Sequence, residues 1–75
     1  MPKLPVITPR DLIRAITKLG FFEHRQRGTS HLVMKHSDGR RAIIAVHQGR
    51  DIPKGTLLGI LKDIGVTSEQ LHDLL

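Results

Sequence analysis

The chain of 75 residues contains no cysteine, tryptophan or tyrosine, and phenylalanine occurs only twice. Without cysteine, disulfides, thiolate zinc sites and cysteine nucleophiles are excluded, so the core must be built from aliphatic side chains. A chain this short buries only about 60% of the surface that its unfolded form exposes. We therefore expect one small domain over 1–75, with an extended lead-in at 1–7.

Long apolar segments are also missing. No run approaches the about 20 residues that a membrane helix requires, and the proline-containing start at 1–5 lacks the apolar region of a signal peptide. A cytoplasmic protein is expected. The sequence has no G-x-S-x-G elbow, P-loop or G-x-G-x-x-G fingerprint, which leaves those classes of hydrolase and nucleotide-binding protein without support.

Acidic side chains are scarce in the first two thirds of the chain. Residues 1–50 carry ten lysine and arginine residues against three acidic ones, whereas 51–75 carry two against four. The net charge of +5 at pH 7 is thus concentrated in 1–50, which favours a polyanionic partner or serves solubility alone. A stripe of like charge at i,i+4 spacing is formed by Arg10, Arg14 and Lys18. Either a phosphate backbone or solvent would cover this stripe.

Helix and strand signals follow one another in a simple order. Thr8 is placed as an N-cap before Pro9, and Asp11 is placed to complete a capping box. The predicted elements are a helix over 9–19, three antiparallel strands within 21–47, a helix from Pro53 that stops at Gly65, and a short helix after Thr67. Both longer helices must cover the same sheet face to close one core, so the expected fold is α+β with the order α-β-β-β-α.

The hairpin between the second and third strands decides which side chains share a face. A two-residue turn at Asp38-Gly39 would pair Val33 with Ile44. The predicted members of that face are His31, Val33, Lys35, Ile44 and Val46. Because a mid-strand lysine is rarely buried unpaired, this face is expected to be the open one. Its valines and isoleucine would form an exposed patch that a protein partner covers, unless the terminal helix covers part of it.

Two glycines, Gly55 and Gly59, lie inside the second predicted helix, where each costs up to about 1 kcal/mol relative to alanine. Close packing of the helix is the expected explanation, and proximity to a ligand phosphate is the alternative.

Of the five histidines, His31 has the neighbours that suit chemistry on RNA. It follows the small polar segment 28–30, where a ligand backbone can approach closely, and Arg25, Arg27 and Lys35 lie near it in the chain. An imidazole ordinarily titrates near pH 6.5, so it can accept and donate a proton at neutral pH. RNA carries its own nucleophile, the 2′-hydroxyl. One histidine with nearby cations would therefore suffice for cleavage, although a strand histidine is also common as a plain polar residue.

Seven short segments stand out for their joint spacing. They are LPVIT (4–8), LGF (19–21), RGTSH (27–31), DGRR (38–41), VH (46–47), PKGTL (53–57) and ILKDIG (60–65). Their order resembles that of the HicA (YcfA-like) toxins over essentially 3–75. The resemblance implies a double-stranded-RNA-binding-domain-like fold and a toxin of a type II toxin–antitoxin system. It also implies metal-independent endoribonuclease activity against mRNA, and neutralisation by a HicB antitoxin that covers the active histidine.

The resemblance also assigns individual residues. His31 matches the family's catalytic histidine, and Gly28 matches the glycine three residues before it. Thr29 and Ser30 fall where family members vary, so neither hydroxyl receives a role. His47 matches a strand-end histidine, for which a structural hydrogen bond is the simplest role.

The resulting hypothesis is a ribonuclease in which His31 is the general acid or base and Gly28 lets the RNA backbone approach. The cations expected to bind phosphate are Arg25, Arg27, Lys35 and Arg41. The residues expected to bind the antitoxin are His31, Val33, Ile44 and Val46. No metal ion or other cofactor is expected, since no carboxylate lies at ligand spacing beside His31. The alternatives are a non-catalytic RNA-binding module of the same fold and an interaction protein without an RNA ligand.

Overall fold

The computed structural model describes residues 4–27, 31–46 and 49–75, with Gln26 and Arg27 described for their backbone only. Its elements are α1 (Pro9–Thr17), β1 (Phe22–Arg27), β2 (His31–Lys35), β3 (Arg41–Ala45), α2 (Lys54–Ile64) and α3 (Ser68–Leu74). The strands form one antiparallel sheet in the order β1-β2-β3. The predicted α+β architecture with a short terminal helix is confirmed.

Local hydrogen bonds define the starts of α1 and α3 as the sequence predicts, whereas α1 ends at Thr17 and not at the predicted residue 19. The Asp11 N–H donates to Thr8 Oγ1 over 3.2 Å, and the Thr8 N–H donates to Asp11 Oδ2 over 3.1 Å, which completes the capping box of α1. Thr67 and Gln70 form the same arrangement before α3. Gly65 ends α2 with a φ of +68°, a left-handed conformation that glycine adopts without steric cost.

The helices pack on one face of the sheet around a mainly aliphatic core. The sheet contributes Leu32, Met34, Ala42 and Ile44, and the helices contribute Leu12, Ala15, Ile16, Leu57, Ile60, Leu61, Ile64 and Leu71. Phe21, which precedes β1, is the aromatic member of this cluster. Each large aliphatic side chain buried in this way contributes about 1.5–3 kcal/mol to folding.

The hairpin between β2 and β3 is one residue longer than predicted. The His36 N–H donates to the Arg40 carbonyl over 2.9 Å, and the Gly39 N–H donates to the His36 carbonyl over 2.9 Å. Residues 37–39 therefore form a three-residue loop instead of a two-residue turn. Gly39 has a φ of +97°, the left-handed position that follows a type I turn in such hairpins.

The longer loop exchanges the two faces of β3 relative to the prediction. Val33 pairs with Ile43 and not with Ile44, because a slip of one residue moves every side chain of a strand to the other face. Ile44 is fully buried in the core, and Val46 packs against the core just after β3. The prediction that Val33, Ile44 and Val46 form an exposed patch is wrong. The exposed isoleucine of β3 is Ile43, whose side chain is 51% exposed.

Gly55 and Gly59 face outward on α2. A Cβ atom added at either glycine would meet nothing within 4 Å in the part of the chain that the structure describes. The predicted close packing at these positions is wrong, and Leu58 beside them is 50% exposed.

Candidate functional site

The face of the sheet opposite the helices brings together the cations predicted from the sequence. The cross-strand register arranges it in three rows, which are Phe22–Lys35–Arg41, Arg25–Val33–Ile43 and Arg27–His31–Ala45. We call these nine positions the open face. Four of them are arginine or lysine, one is histidine and none is acidic. For Arg27, the placement refers to the backbone register alone.

A bulge in β1 places two of these arginines on the open face. Glu23 pairs with Met34, but Arg25 pairs with Val33, so His24 is an extra residue between the two pairs. With regular pairing, Arg25 would oppose Leu32 on the face that the helices cover. The bulge was not predicted from the sequence, because it depends on the pairing of two strands and has no local signature here.

Val33 lies at the centre of the open face and is nevertheless only 4% exposed. It does not belong to the core cluster beneath the helices. Its register neighbours are Arg25 and Ile43 across the strands, with His31 and Lys35 two positions away along β2. Cross-strand and same-face neighbours in a sheet are in contact range, and the aliphatic stems of such cations cover apolar surface. The neighbours therefore shield the valine.

His31 is the first residue of β2, and its side chain is exposed. Its Cα partners are Arg27 in β1 and Ala45 in β3. The predictions for Gly28, Thr29, Ser30 and His47 concern positions outside the described residues. The site therefore consists, as far as it is described, of an exposed imidazole at one end of a basic sheet face.

A family model described as the HicA toxin of bacterial toxin–antitoxin systems matches residues 9–66. The chain belongs to the HicA toxin family. The match extends from the first residue of α1 to just beyond α2, so it includes the whole sheet. No curated protein matches the chain. Membership confirms the resemblance drawn from the motifs, assigns a toxin role and implies an antitoxin as partner.

The opposite end of β2 in this HicA-family chain carries a second histidine in a different environment. His36 Nε2 lies 2.9 Å from the Leu19 carbonyl oxygen, and His36 Nδ1 lies 3.1 Å from the Asp38 amide nitrogen. A neutral ring with its proton on Nε2 satisfies both hydrogen bonds. Nδ1 also lies 3.1 Å from Asp38 Oδ1, a contact that becomes an ion pair only if the ring is protonated. The ring stands edge-on to Phe21, with 5.0 Å between centroids.

Arg40 belongs to the same cluster as His36. Its Nε donates to Asp38 Oδ2 over 2.7 Å, and its Nη1 donates to the Ile64 carbonyl over 2.7 Å, which ties the hairpin to the end of α2. The guanidinium carbon lies 5.2 Å from the Phe21 ring centroid. The Arg40 N–H bond to Asp38, aided by the guanidinium, lowers the pKa of that carboxyl. The DGRR segment thus contains a structural arginine, Arg40, followed by Arg41 on the open face.

Two findings bear on metal ions and membranes. Within the described ranges, no three histidine, aspartate or glutamate side chains are grouped closely enough to hold a metal ion. No described helix is both long enough and apolar enough to cross a membrane.

Proposed function

We propose that this HicA-family toxin is an endoribonuclease that cleaves mRNA without a metal ion, with His31 as the general acid or base. The observation that carries the proposal is the register of the sheet, which places His31 on the same face as four cationic positions and no carboxylate. We further propose that a HicB-type antitoxin neutralises the toxin by covering His31 and the exposed Ile43. The toxin role itself follows from the family.

The proposed reaction uses the nucleophile that RNA supplies. The imidazole of His31 takes the proton of a 2′-hydroxyl, and the 2′-oxygen forms a bond to the adjacent phosphorus. The bond from phosphorus to the 5′-oxygen of the next nucleotide breaks, and that oxygen receives a proton from the imidazolium or from water. The products are a 2′,3′-cyclic phosphate and a 5′-hydroxyl. A positioned acid or base of this kind contributes about 10²–10⁴-fold to the rate.

The cations of the open face would stabilise the charge that develops on the phosphoryl oxygens. Lys35 and Arg41 are direct register partners, and Arg25 lies in the next row. Within the described part of the chain, Asp38 pairs with Arg40 and contacts His36. Arg25, Lys35 and Arg41 form no ion pair there, so their charge is available to a phosphate. Contacts to phosphate position a substrate without reading its bases, so we expect little sequence preference.

Phe22 extends the proposed site in the row of Lys35 and Arg41. Its ring is 51% exposed on a face that is otherwise basic. Single-stranded nucleic acids are bound by combining backbone cations with aromatic rings on which bases stack. We assign Phe22 as a stacking surface for one base of the RNA.

The test compares wild type with His31→Ala on a long single-stranded RNA in EDTA, analysed on a denaturing gel. Cleavage by wild type and loss of cleavage in His31→Ala are expected, with His72→Ala on α3 as the matched control that retains cleavage. Cleavage by both His31→Ala and wild type would remove His31 from the chemistry. Intact RNA in every lane would contradict the enzyme proposal, and loss of cleavage only on adding EDTA would contradict the metal-independent mechanism.

A non-catalytic RNA-binding module is the second candidate, because the basic open face suits RNA binding whether or not a bond is broken. In that case His31→Ala would bind RNA as wild type does, whereas Arg41→Glu would abolish binding. Binding that weakens linearly on a log–log scale with salt would support an RNA ligand, since phosphate contacts release counterions.

A further inference from the structure

A second basic site lies around the edge of the sheet from the open face. The helix α1 and the edge strand β1 border a cleft of about 890 Å³. Its charged lining residues are Arg10 and Arg14 of α1, Lys18 directly after α1, and Glu23 and Arg25 of β1. We call it the α1–β1 cleft. The cationic stripe of Arg10, Arg14 and Lys18 therefore lines a concave surface.

Cations outnumber carboxylates in this cleft by four to one. Lys18 Nζ donates to the Leu74 carbonyl over 2.7 Å, which holds it between α1 and α3. Arg10 and Arg14 form no ion pair with any residue that the structure describes. Their two guanidinium groups thus present donors and positive charge that the fold itself does not use as ion pairs.

Two features of this cationic stripe disfavour the free helix. Arg10 lies in the first turn of α1, where the helix dipole repels positive charge. Like charges four residues apart, as in Arg10, Arg14 and Lys18, also repel one another. Arg14 in the last turn and Lys18 at the C-cap lie where the dipole favours cations. Helix stability therefore leaves Arg10 and the mutual repulsion unexplained, and a bound polyanion would remove both of these penalties.

We propose that the α1–β1 cleft binds the phosphodiester backbone of single-stranded RNA, as a second subsite beside the open face. The identity of the ligand rests on the proposed function. Arg25 lines the cleft and also belongs to the open face, so basic surface continues around the β1 edge from one site to the other. Residues four apart on a helix are spaced by about 6 Å along its axis, a separation suited to consecutive phosphates of one strand.

The cations of the cleft favour RNA over a folded protein partner, because the aliphatic residues that also line it, Ile13, Leu32 and Val46, are partly or fully buried. Protein interfaces depend on exposed aromatic or large aliphatic anchors at their centre. The strongly exposed large hydrophobic residues in the described part of the chain are Val6, Phe22, Ile43, Leu58 and Leu75, and none of them lines the cleft. A flexible polyanion requires no such anchor.

The test measures RNA binding in a His31→Ala background, in which the RNA is expected to stay intact. The cleft variant is Arg10→Gln/Arg14→Gln, and the matched control is Lys54→Gln/Lys62→Gln, which removes the same charge from α2 outside the cleft. Lys18 is left unchanged because it bonds to α3. The probes are labelled oligouridines of about twelve and about three nucleotides, chosen because single-strand sites span about 4–16 nucleotides.

The cleft variant should bind the longer oligouridine at least about tenfold more weakly than the control variant. The slope of log affinity against log salt should fall by about 1.4, because each single-strand phosphate contact contributes about 0.7. Binding of the shorter oligouridine should be the same in both variants. Glu23→Gln should tighten binding of the longer probe, a gain that misfolding cannot produce.

Equal affinity and equal salt slope in the cleft and control variants would overturn the second subsite, whether or not the wild type cleaves RNA. Conversely, if wild type fails to cleave but the cleft variant loses affinity, the cleft stands and only the catalytic proposal fails. A labelled polyglutamate that loses binding in the cleft variant, while oligouridine binding persists, would instead assign the cleft to an acidic protein segment and overturn the RNA subsite.

Discussion

His31 is the first residue of β2 and His36 directly follows its last residue, and the surroundings of the two histidines differ. His36 has only 18% of its side chain exposed, and both ring nitrogens are in hydrogen-bonding contact with Leu19 and Asp38. His31 is exposed on a face that carries cations and no carboxylate. The same kind of side chain therefore contacts the hairpin at one end of the strand and is exposed on the open face at the other. Residue type alone does not distinguish these roles, whereas the neighbours do.

The two ends are nevertheless coupled through the register of the sheet. The loop at 37–39 determines that Lys35 opposes Arg41 and, four residues earlier in β2, that His31 opposes Ala45. Because side chains alternate with a period of two, a loop shorter by one residue would place Ile44 on the open face. The loop after β2 thus determines which residues lie around His31 on the open face.

The largest expected difference between the two ends is in activity. His31→Ala should reduce the single-turnover rate of RNA cleavage by about 10²–10⁴-fold, while its melting temperature stays close to that of wild type because the side chain is exposed. His36→Ala should keep its rate when normalised to the folded fraction. The comparison fails if His36→Ala loses as much activity per folded molecule as His31→Ala does.

The register predicts a large stability difference between two adjacent isoleucines of β3. Ile44→Ala should lower the free energy of unfolding by about 2–5 kcal/mol, because it leaves a cavity in the core. Ile43→Ala should change it by less than about 0.5 kcal/mol, because the side chain is half exposed. Thermal unfolding separates these cases, since 1 kcal/mol corresponds to about 4–8 °C in a domain of this size. A larger loss of stability in Ile43→Ala than in Ile44→Ala would indicate the two-residue turn, which places Ile43 in the core.

Local signals explain what the sequence could predict in this fold. The capping boxes at Thr8 and Thr67 need only residues three positions apart, and the left-handed end of α2 needs only Gly65. Each of these was predicted from neighbouring residues and is confirmed. The same local character explains why His31 and its nearby cations could be singled out as a hypothesis.

Long-range pairing accounts for what the sequence could not predict. The length of the hairpin loop depends on the conformation of Gly39, and an Asp-Gly pair fits both a two-residue turn and the observed loop. The bulge at His24 depends on how β1 pairs with β2. The contact of Arg40 with the Ile64 carbonyl joins residues far apart in the chain, so the structural role of this arginine was missed.

The hydrogen bonds and ring contact of His36 should contribute measurably to stability. His36→Ala removes the hydrogen-bond donor of the partly buried Leu19 carbonyl and the ring beside Phe21. We expect it to lower the free energy of unfolding by about 1–3 kcal/mol. His24→Ala, at an exposed position of the bulge, is the matched control and should shift it by less than about 0.5 kcal/mol. Equal melting temperatures for the two variants would contradict a structural role for His36.

Acid should destabilise the fold by protonating the Asp38 carboxylate in the hairpin loop. Its pKa is lowered in the folded state, first by the Arg40 N–H and then by the Arg40 side chain, so the ionised carboxylate stabilises the fold above its ordinary pKa. That contribution is lost as the pH falls below about 4, through the folded-state pKa. The melting temperature of wild type should therefore decline more steeply below pH 4 than that of Asp38→Asn. Asp11 shifts in the same direction and titrates in both proteins, so parallel curves would contradict the role of Asp38.

The smallest expected effect is a gain in stability from replacing two glycines of α2. The resulting variant is a suitable background for comparing substitutions at the two ends of β2. Gly55→Ala and Gly59→Ala lie on the outward side of α2, where an added Cβ meets nothing in the described part of the chain. Each should raise the free energy of unfolding by about 0.5–1 kcal/mol, because alanine restricts the unfolded chain and favours the helix. Cleavage should be unchanged in the double variant. His36→Ala and Ile44→Ala can then be assayed in a stabilised fold, where a remaining loss of activity would have to come from the site itself. A lower melting temperature in the double variant would contradict the outward placement of the two glycines.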